Sequence, residues 1–391
     1  MQRIFSIYYF IFFVAMASSQ PFLSLYLSGK GLGSPEIGLL LAVGAGAGIF
    51  AQPMLGYIND RTRDPRRILL TSAILSPIMF AGYSLSRQFW PLFVVSILVA
   101  VVQSSAPIMD AMAVQEGARS GFSYGQIRLW GALSFALTTI VAGYVYHDVG
   151  IQVSFSVYGA LSLILIVVVL YLPRDSVFER PKENIFHGVW NVMRNPPLIM
   201  FIVICFILST AISINSSFLP LYYEGLHYPM SWVGANFTVA ALVEVPLFYI
   251  SGKLISRVGP MRVVILASLL FTVKYVIMAF APGAVIVILA QILDGVGYAL
   301  YWSTGVQLVS ELAPEGRTAT AQTLYGAIAS SLSSVVGSSV GGLILNRVGP
   351  VGLYVFTTGL GALAIVGFLA FARFRFLVPR KSVENCSGEA V

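Results

Sequence analysis

The chain has 391 residues, of which 57% are apolar and 10% are charged, and its net charge is +7. A soluble domain carries about 25% charged residues, so a chain of this composition cannot keep its apolar surface out of water by folding on itself. We therefore predict a membrane protein. Its basic residues alternate between loops in a way that membrane topology explains better than nucleic-acid binding, so no nucleic-acid partner is expected.

Neither a cofactor nor a metal ion is expected. The two cysteines, Cys205 and Cys386, lie in an apolar segment and in the polar tail, which gives no disulfide framework. The sequence has no spacing typical of zinc or haem ligands. It also has no nucleotide-binding loop and no nucleophile–base spacing that would favour an enzyme.

Membrane-spanning helices account for most of the chain. A helix crosses the ~30 Å hydrocarbon layer with about 20 apolar residues. Twelve segments have this length and character: 5–27, 36–58, 68–86, 89–115, 125–146, 151–172, 197–223, 231–252, 262–281, 284–311, 318–345 and 350–372. The sequence therefore predicts an all-α membrane protein with twelve transmembrane helices.

A long polar segment at the middle of the chain divides these spans into two groups of six. The predicted domains are an N-terminal six-helix bundle over 1–172, a cytoplasmic linker over 173–196, a C-terminal six-helix bundle over 197–374 and a cytoplasmic tail over 375–391. The first span has a second interpretation, because Arg3, an apolar run and Ala15-Met16-Ala17 resemble a cleavable signal peptide. A span is favoured, since an internal repeat begins inside this segment.

Lysine and arginine residues predict the orientation of the chain. With the N-terminus inside, eighteen of the 23 lysine and arginine residues lie on the cytoplasmic side. Two others, Arg128 and Lys274, fall within helices. The external loops hold three: Lys30, Arg87 and Arg347. Both termini are therefore predicted to be cytoplasmic, in a bacterial inner membrane.

The two halves of the chain repeat each other at an offset of 196 residues. The ungapped matches include Gly38 with Gly234, Gly56 with Gly252 and Arg61 with Arg257. Because six spans separate the copies, the two halves have the same orientation. Parallel halves with a solute site at their interface are typical of a secondary transporter that alternates between two access states.

The loop after the second span carries a recognisable motif. Gly56-Tyr-Ile-Asn-Asp60-Arg61 has the form G-x-x-x-D-R, and Gly252 to Arg257 echoes it in the second half. This motif resembles the loop signature of the major facilitator superfamily, and the resemblance extends over nearly the whole chain. We expect these residues to set the orientation and brace the cytoplasmic gate without contacting the solute.

Five charged residues lie well inside predicted spans: Asp110, Arg128, Glu244, Lys274 and Asp294. A charge within the membrane is costly and marks a functional site by default. Residues equidistant from a short turn lie at the same depth, which places Arg128 level with Asp110, and Lys274 level with both Glu244 and Asp294. One of the three carboxylates therefore lacks a basic partner and is a candidate proton carrier. The alternative is that these pairs only lock the helices together.

The segment Tyr124-Gly125-Gln-Ile-Arg128-Leu-Trp130-Gly131 narrows the resemblance. It is similar to the fifth-helix motif of the lactose permease and 3-phenylpropionate permease branch. That resemblance implies that Asp110 and Arg128 bind the solute together. The residues implied in proton coupling are Glu244, Lys274 and Asp294, and those expected to stack on a ring-shaped solute are Phe135, Tyr298 and Trp302.

Three departures from the branch leave the solute open. Phe135 stands where the lactose permease has the tryptophan that stacks on sugar, Asp294 replaces a histidine and Lys274 replaces an arginine. We expect proton-coupled symport into the cell of a sugar or glycoside, a nucleoside or an aromatic acid, by a chain that acts as a monomer in the bilayer. Proton-driven efflux of drugs or metabolites is the alternative within transport. A sensor or membrane enzyme is the alternative outside it.

Overall fold

The computed structural model describes residues 1–62, 64–122, 124–173, 192–280, 283–314 and 317–377. All regular secondary structure in these ranges is helical, which confirms the predicted fold class. The predicted linker over 173–196 and tail over 375–391 lie largely outside the described residues. The side chain of Asp60 lies outside them as well.

Among the described residues, the first half contains eight helices and one short 3₁₀ turn. They are α1 (Gln2–Ser19), the turn Gln20–Phe22, α2 (Leu23–Gly29), α3 (Ser34–Thr62), α4 (Pro65–Leu85), α5 (Phe89–Gln103), α6 (Ala106–Ser120), α7 (Tyr124–Val149) and α8 (Val153–Leu170). Local chemistry fixes several of these ends. At the start of α4, for example, Pro65 occupies the first helical position and the Asp64 carboxylate accepts a hydrogen bond from the Arg67 amide.

In the part of the second half that the structure describes, there are six helices and a π-helical turn. They are α9 (Pro196–Gly225), α10 (Met230–Val258), α11 (Pro260–Ala279), α12 (Ala284–Leu312), α13 (Thr318–Gly326), the turn Ala327–Leu332 and α14 (Ser333–Leu377). Helix α9 packs against α14, and α11 packs against both α12 and α14.

Among the described residues, eleven helical segments are long and apolar enough to cross a membrane. The last of them covers 54 residues, Thr320–Arg373, which at 1.5 Å per residue would extend about 80 Å, more than twice the hydrocarbon thickness. The helical path breaks within it at Gly349, where φ is 72° and ψ is −176°, just before Pro350. Counting this element as two crossings gives the twelve that the sequence predicts.

The predicted span over 89–115 corresponds to one apolar segment, Phe89–Gly117, but the helix is interrupted within it. Helix α5 ends at Gln103, and α6 begins at Ala106. Because Pro107 has no amide hydrogen, the Gln103 carbonyl lacks its usual helical donor four residues on. The interruption lies at the middle of the fourth span, beside the charged residue Asp110.

The two halves meet closely through backbone contacts. Helix α7 packs along α10, and α3 packs along α14. A Cβ atom added at Gly234 would lie 2.2 Å from the Thr139 carbonyl oxygen, and one added at Gly38 would lie 2.3 Å from the Ser338 carbonyl oxygen. These contacts lie at the end of the bundle opposite the start of α1, so the halves are closed against each other at that end.

Substitution of Gly234 tests this closure. In Gly234→Val the side chain cannot fit against Thr139, and overpacking of this kind costs roughly 1–3 kcal/mol. We expect the closed arrangement to lose population, so that a cysteine introduced at Ser338 becomes accessible. Its labelling by a soluble maleimide should accelerate about tenfold or more, measured on purified protein in which Cys386 is replaced by serine.

Gly359, on α14, provides the matched control. A Cβ atom added there meets nothing within 4 Å, so Gly359→Val should leave the labelling rate of the introduced cysteine unchanged. Equal labelling in wild type and Gly234→Val would show that the glycine contact does not hold the two halves together.

Candidate solute-binding site

Asp110 lies on α6 and accepts hydrogen bonds from two tyrosines. The Tyr9 hydroxyl of α1 and the Tyr124 hydroxyl of α7 both donate to Asp110 Oδ1, the second over 3.0 Å. The expected partner, Arg128, makes no ion pair with any described carboxylate. Asp110 and Arg128 therefore do not form an ion pair, although they are predicted to lie at the same depth in the membrane. Depth does not determine the direction in which a side chain points from its helix.

The Arg128 side chain lies against an aromatic ring instead. Its guanidinium carbon is 4.1 Å from the centroid of the Phe13 ring on α1, a cation–π arrangement. Gly131, one turn further along α7, makes this approach possible. A Cβ atom there would lie 2.6 Å from Phe13 Cδ2 and 3.0 Å from Arg128 Nη1.

Asp110 and Arg128 line one cavity of about 300 Å³, which we call the charged cavity. Four aromatic residues of α1 complete its wall: Tyr8, Tyr9, Phe12 and Phe13. Tyr8 and Phe12 stack with ring centroids 5.8 Å apart, and Tyr9 and Phe13 stack at 6.3 Å. Apolar length alone predicts these residues only as part of a span, although two aromatic pairs four residues apart on one helix are a usable signal.

The charged groups of the second half are arranged differently. Lys274 Nζ on α11 lies 2.5 Å from Asp294 Oδ1 on α12, and the Lys274 side chain is fully buried. Glu244, on α10, has neither a hydrogen bond nor an ion pair with a described residue, but its carboxylate lies in the field of both Asp294 and Arg128. Of the three acids, Glu244 is therefore the one without a direct partner in the described part of the chain.

The predicted stacking residues are not all at one place. Tyr298 and Trp302 both belong to α12, and their rings stack with centroids 6.2 Å apart. The Tyr298 hydroxyl also interacts electrostatically with Glu244, Arg128 and Asp294. Phe135 lies on α7, almost two turns beyond Arg128, and is not among the residues that line the charged cavity.

The predicted gating residues lie in helices. Gly56 and Arg61 fall within the last turns of α3, which continues to Thr62, and Gly252 and Arg257 lie near the end of α10. The expected loop is therefore shorter than the motif suggests. A Cβ atom added at Gly56 or at Gly252 meets no atom within 4 Å, so close packing does not explain either glycine in this conformation.

Comparison with known proteins identifies the family. The model of the MFS_1 like family matches residues 3–356. The chain belongs to this family. It is 28% identical over 348 residues to the maltose permease of Geobacillus stearothermophilus, and the alignment covers 88% of each chain. It is 25% identical over 293 residues to a probable 3-phenylpropionic acid transporter of Escherichia coli (strain K12), covering 73% of this chain and 76% of the relative.

The fold also matches a solved structure. The crystal structure of a variant of the nucleoside transporter NupG superimposes with a TM-score of 0.87 at 16% identity, covering 95% of this chain and 99% of that one. This likeness shows the fold alone. Family, fold and relatives together make the chain a multi-pass membrane transporter of the major facilitator superfamily and not an enzyme.

A double-mutant cycle tests the hydrogen bond between Tyr124 and Asp110. A hydrogen bond to a charged group contributes roughly 1.5–3 kcal/mol, so Tyr124→Phe should lower the free energy of unfolding by about 1–2 kcal/mol. Combined with Asp110→Asn, the two losses should not add, and the coupling should reach about 1 kcal/mol. Unfolding in mixed micelles titrated with SDS gives the free energies.

Tyr146→Phe is the matched control. The Tyr146 hydroxyl donates to the Ser18 carbonyl oxygen over 2.7 Å and is not bonded to Asp110. Its loss of stability should therefore add to that of Asp110→Asn. Simple additivity for Tyr124→Phe as well would contradict a direct bond between Tyr124 and Asp110.

Proposed function

We propose that the chain is a proton-coupled symporter that imports a neutral, polar, ring-shaped solute, and that saccharides are the favoured class. The charged cavity carries this proposal. It combines a carboxylate that accepts hydrogen bonds, a guanidinium fork with no carboxylate partner among the described residues, and a wall of aromatic rings.

Saccharide recognition needs these three features together. Sugar hydroxyls can donate to Asp110 and accept from Arg128, and the apolar face of a sugar ring can lie on an aromatic side chain. A ligand site of this kind uses a few placed polar groups within an otherwise apolar lining. The 28% identical relative is a maltose permease, which supports a saccharide over the other solutes that the sequence leaves open.

The sum of the buried charges favours a neutral solute. Lys274 and Asp294 cancel each other, and Arg128 offsets Asp110, which leaves the charge of Glu244. If Glu244 takes up a proton, the site becomes neutral, and a neutral solute keeps it so. An anionic solute would add an unpaired charge, which costs several kcal/mol in a low-dielectric interior.

The topology and the transport cycle belong to the same proposal. We place both termini in the cytoplasm of a bacterium, as the distribution of basic residues favours. The closed end with Gly38 and Gly234 is then external, and the structure corresponds to an inward-facing state. Rocking of one half against the other would expose the site to the outside, and a single chain suffices for this cycle.

Replacement of Arg128 by lysine tests its role in solute binding. Lysine keeps the charge but has neither the planar fork nor the flat face that lies on Phe13. The dissociation constant for the preferred saccharide should rise roughly 10- to 100-fold. Thermal-shift titrations with maltose, glucose and the carboxylated sugar glucuronate give the affinities.

Arg87→Lys, a change of the same kind in an exposed connection, should leave the affinities unchanged. Undiminished binding in Arg128→Lys would remove this residue from the site. Selective stabilisation of the wild type by glucuronate would refute the charge argument for a neutral solute.

The second test separates the proton carrier from the ion pair. Glu244→Gln mimics the protonated acid, so proteoliposomes with this variant should lose accumulation driven by a pH gradient and keep solute exchange. Asp294→Asn should instead lower thermal stability, because it leaves the buried Lys274 charge without its partner. Replacing both members, with Lys274→Met and Asp294→Asn, should restore much of that stability.

Normal accumulation by Glu244→Gln would exclude this residue as the carrier. The same transport measurement distinguishes import from efflux. A lower solute content with the gradient than without it would establish export and overturn the proposed direction.

A further inference from the structure

A second cavity adjoins the charged cavity inside the first half of the protein. Its empty space, including the part open to solvent, is about 600 Å³, and it lies between α1, α4, α8 and the junction of α5 with α6. The two cavities share Tyr8, Phe12 and Ala106 as lining residues. The stacked rings of Tyr8 and Phe12 therefore lie where the two cavities meet.

The second cavity differs from the first in its chemistry. Its polar lining consists of Ser72, Ser76, Gln103, Ser105, Tyr158 and Ser162, and its other lining residues are apolar. None of these side chains carries a charge. Hydroxyl and amide groups can both donate and accept hydrogen bonds, so the lining matches a ligand that does the same. A charged ligand would find no counter-charge there.

Gln103 gives the clearest sign that this lining is incomplete without a ligand or water. Its side-chain oxygen accepts a hydrogen bond from Gln20 over 2.8 Å. Its side-chain nitrogen is buried and makes no hydrogen bond of normal geometry with a described residue, although it lies close to the Tyr158 hydroxyl of the same lining. The break between α5 and α6 lies at the same residue, because Pro107 offers the Gln103 carbonyl no donor. Buried polar groups are otherwise nearly always paired.

A broken transmembrane helix beside a cavity is itself informative. In lipid, irregular backbone is tolerated where protein buries it or where it lines a polar cavity. Transporters form solute sites at such discontinuous helices. Here the same interruption contributes Gln103 and Ser105 to the second cavity and, through α6, Asp110 to the charged cavity.

We infer that the second cavity is a compartment of the solute site that holds a second uncharged, hydroxyl-bearing ring. The inference rests on the proposed function and narrows it to glycosides of two rings. One ring binds at Asp110 and Arg128, and the other lies among the serine hydroxyls, Gln103 and Tyr158. An apolar occupant, such as a lipid chain, would leave the Gln103 amide unpaired and is disfavoured for that reason.

Two conservative variants test the compartment. Gln103→Leu removes the amide at similar volume, and Tyr158→Phe removes one hydroxyl and keeps the ring. In the purified full chain, each should weaken the binding of maltose about tenfold and change the binding of glucose less than about twofold. Ser134→Ala is the control, because the Ser134 hydroxyl bonds within its own helix to the Gly131 carbonyl oxygen over 2.9 Å and lines neither cavity.

Every result of these binding measurements either supports or overturns the proposed compartment. Selective loss of maltose affinity supports the compartment, and retained glucose affinity shows that the variants are folded. Equal loss of both sugars, or no loss of either, would overturn the compartment and leave the proposed function standing. Wild-type protein that binds glucose as tightly as maltose would also overturn it. Wild-type protein that binds neither sugar would refute the saccharide proposal and this inference together.

Discussion

A charge within the bilayer must be neutralised or hydrogen-bonded, because no water solvates it there. This constraint orders the centre of the protein. Lys274 and Asp294 satisfy it by direct contact, and Asp110 satisfies it with two tyrosine hydroxyls. Arg128 is stabilised by the face of Phe13, which leaves its donors available. Glu244 alone among the three acids has no direct partner in the described chain, which is why we propose it as the proton carrier.

The internal repeat explains how the halves come together around these charges. Gly38 and Gly234 are equivalent positions in the two copies, and each brings its own helix against the backbone of the opposite half. A second pair behaves in the same way, since Gly143 faces Gly234, and Gly342 faces the backbone at Ser34. The matched glycines are thus the two symmetric halves of one interface. The central charges have no such counterparts, so the scaffold is symmetric and the chemistry at its centre is not.

Much of this arrangement could be predicted from the sequence, and the reason for each miss is physical. The lengths of the apolar segments predict the membrane spans, and the positions of the turns predict the depths of the buried charges. Depth does not determine rotation about the helix axis, and for that reason the expected pair of Asp110 with Arg128 is absent whereas Lys274 does meet Asp294. The break at Gln103 was missed because a proline is compatible with both a kinked helix and an interrupted one. The contribution of α1 was missed because its aromatic residues serve equally well as ordinary membrane-facing side chains.

The position of Glu244 suggests how a proton and a solute can be coupled across the two halves. Arg128 belongs to the first half, and Glu244 and Asp294 belong to the second, yet the charges of Arg128 and Asp294 both act on the Glu244 carboxylate. An ionised Glu244 is attracted by Arg128 and repelled by Asp294, and protonation removes both interactions. Under the proposed coupling, the electrostatic link between the halves therefore weakens on protonation, and the Arg128 guanidinium is no longer attracted towards Glu244. In this scheme the solute binds Arg128 while Glu244 is protonated, so that the loaded protein holds both a proton and a solute before its halves move.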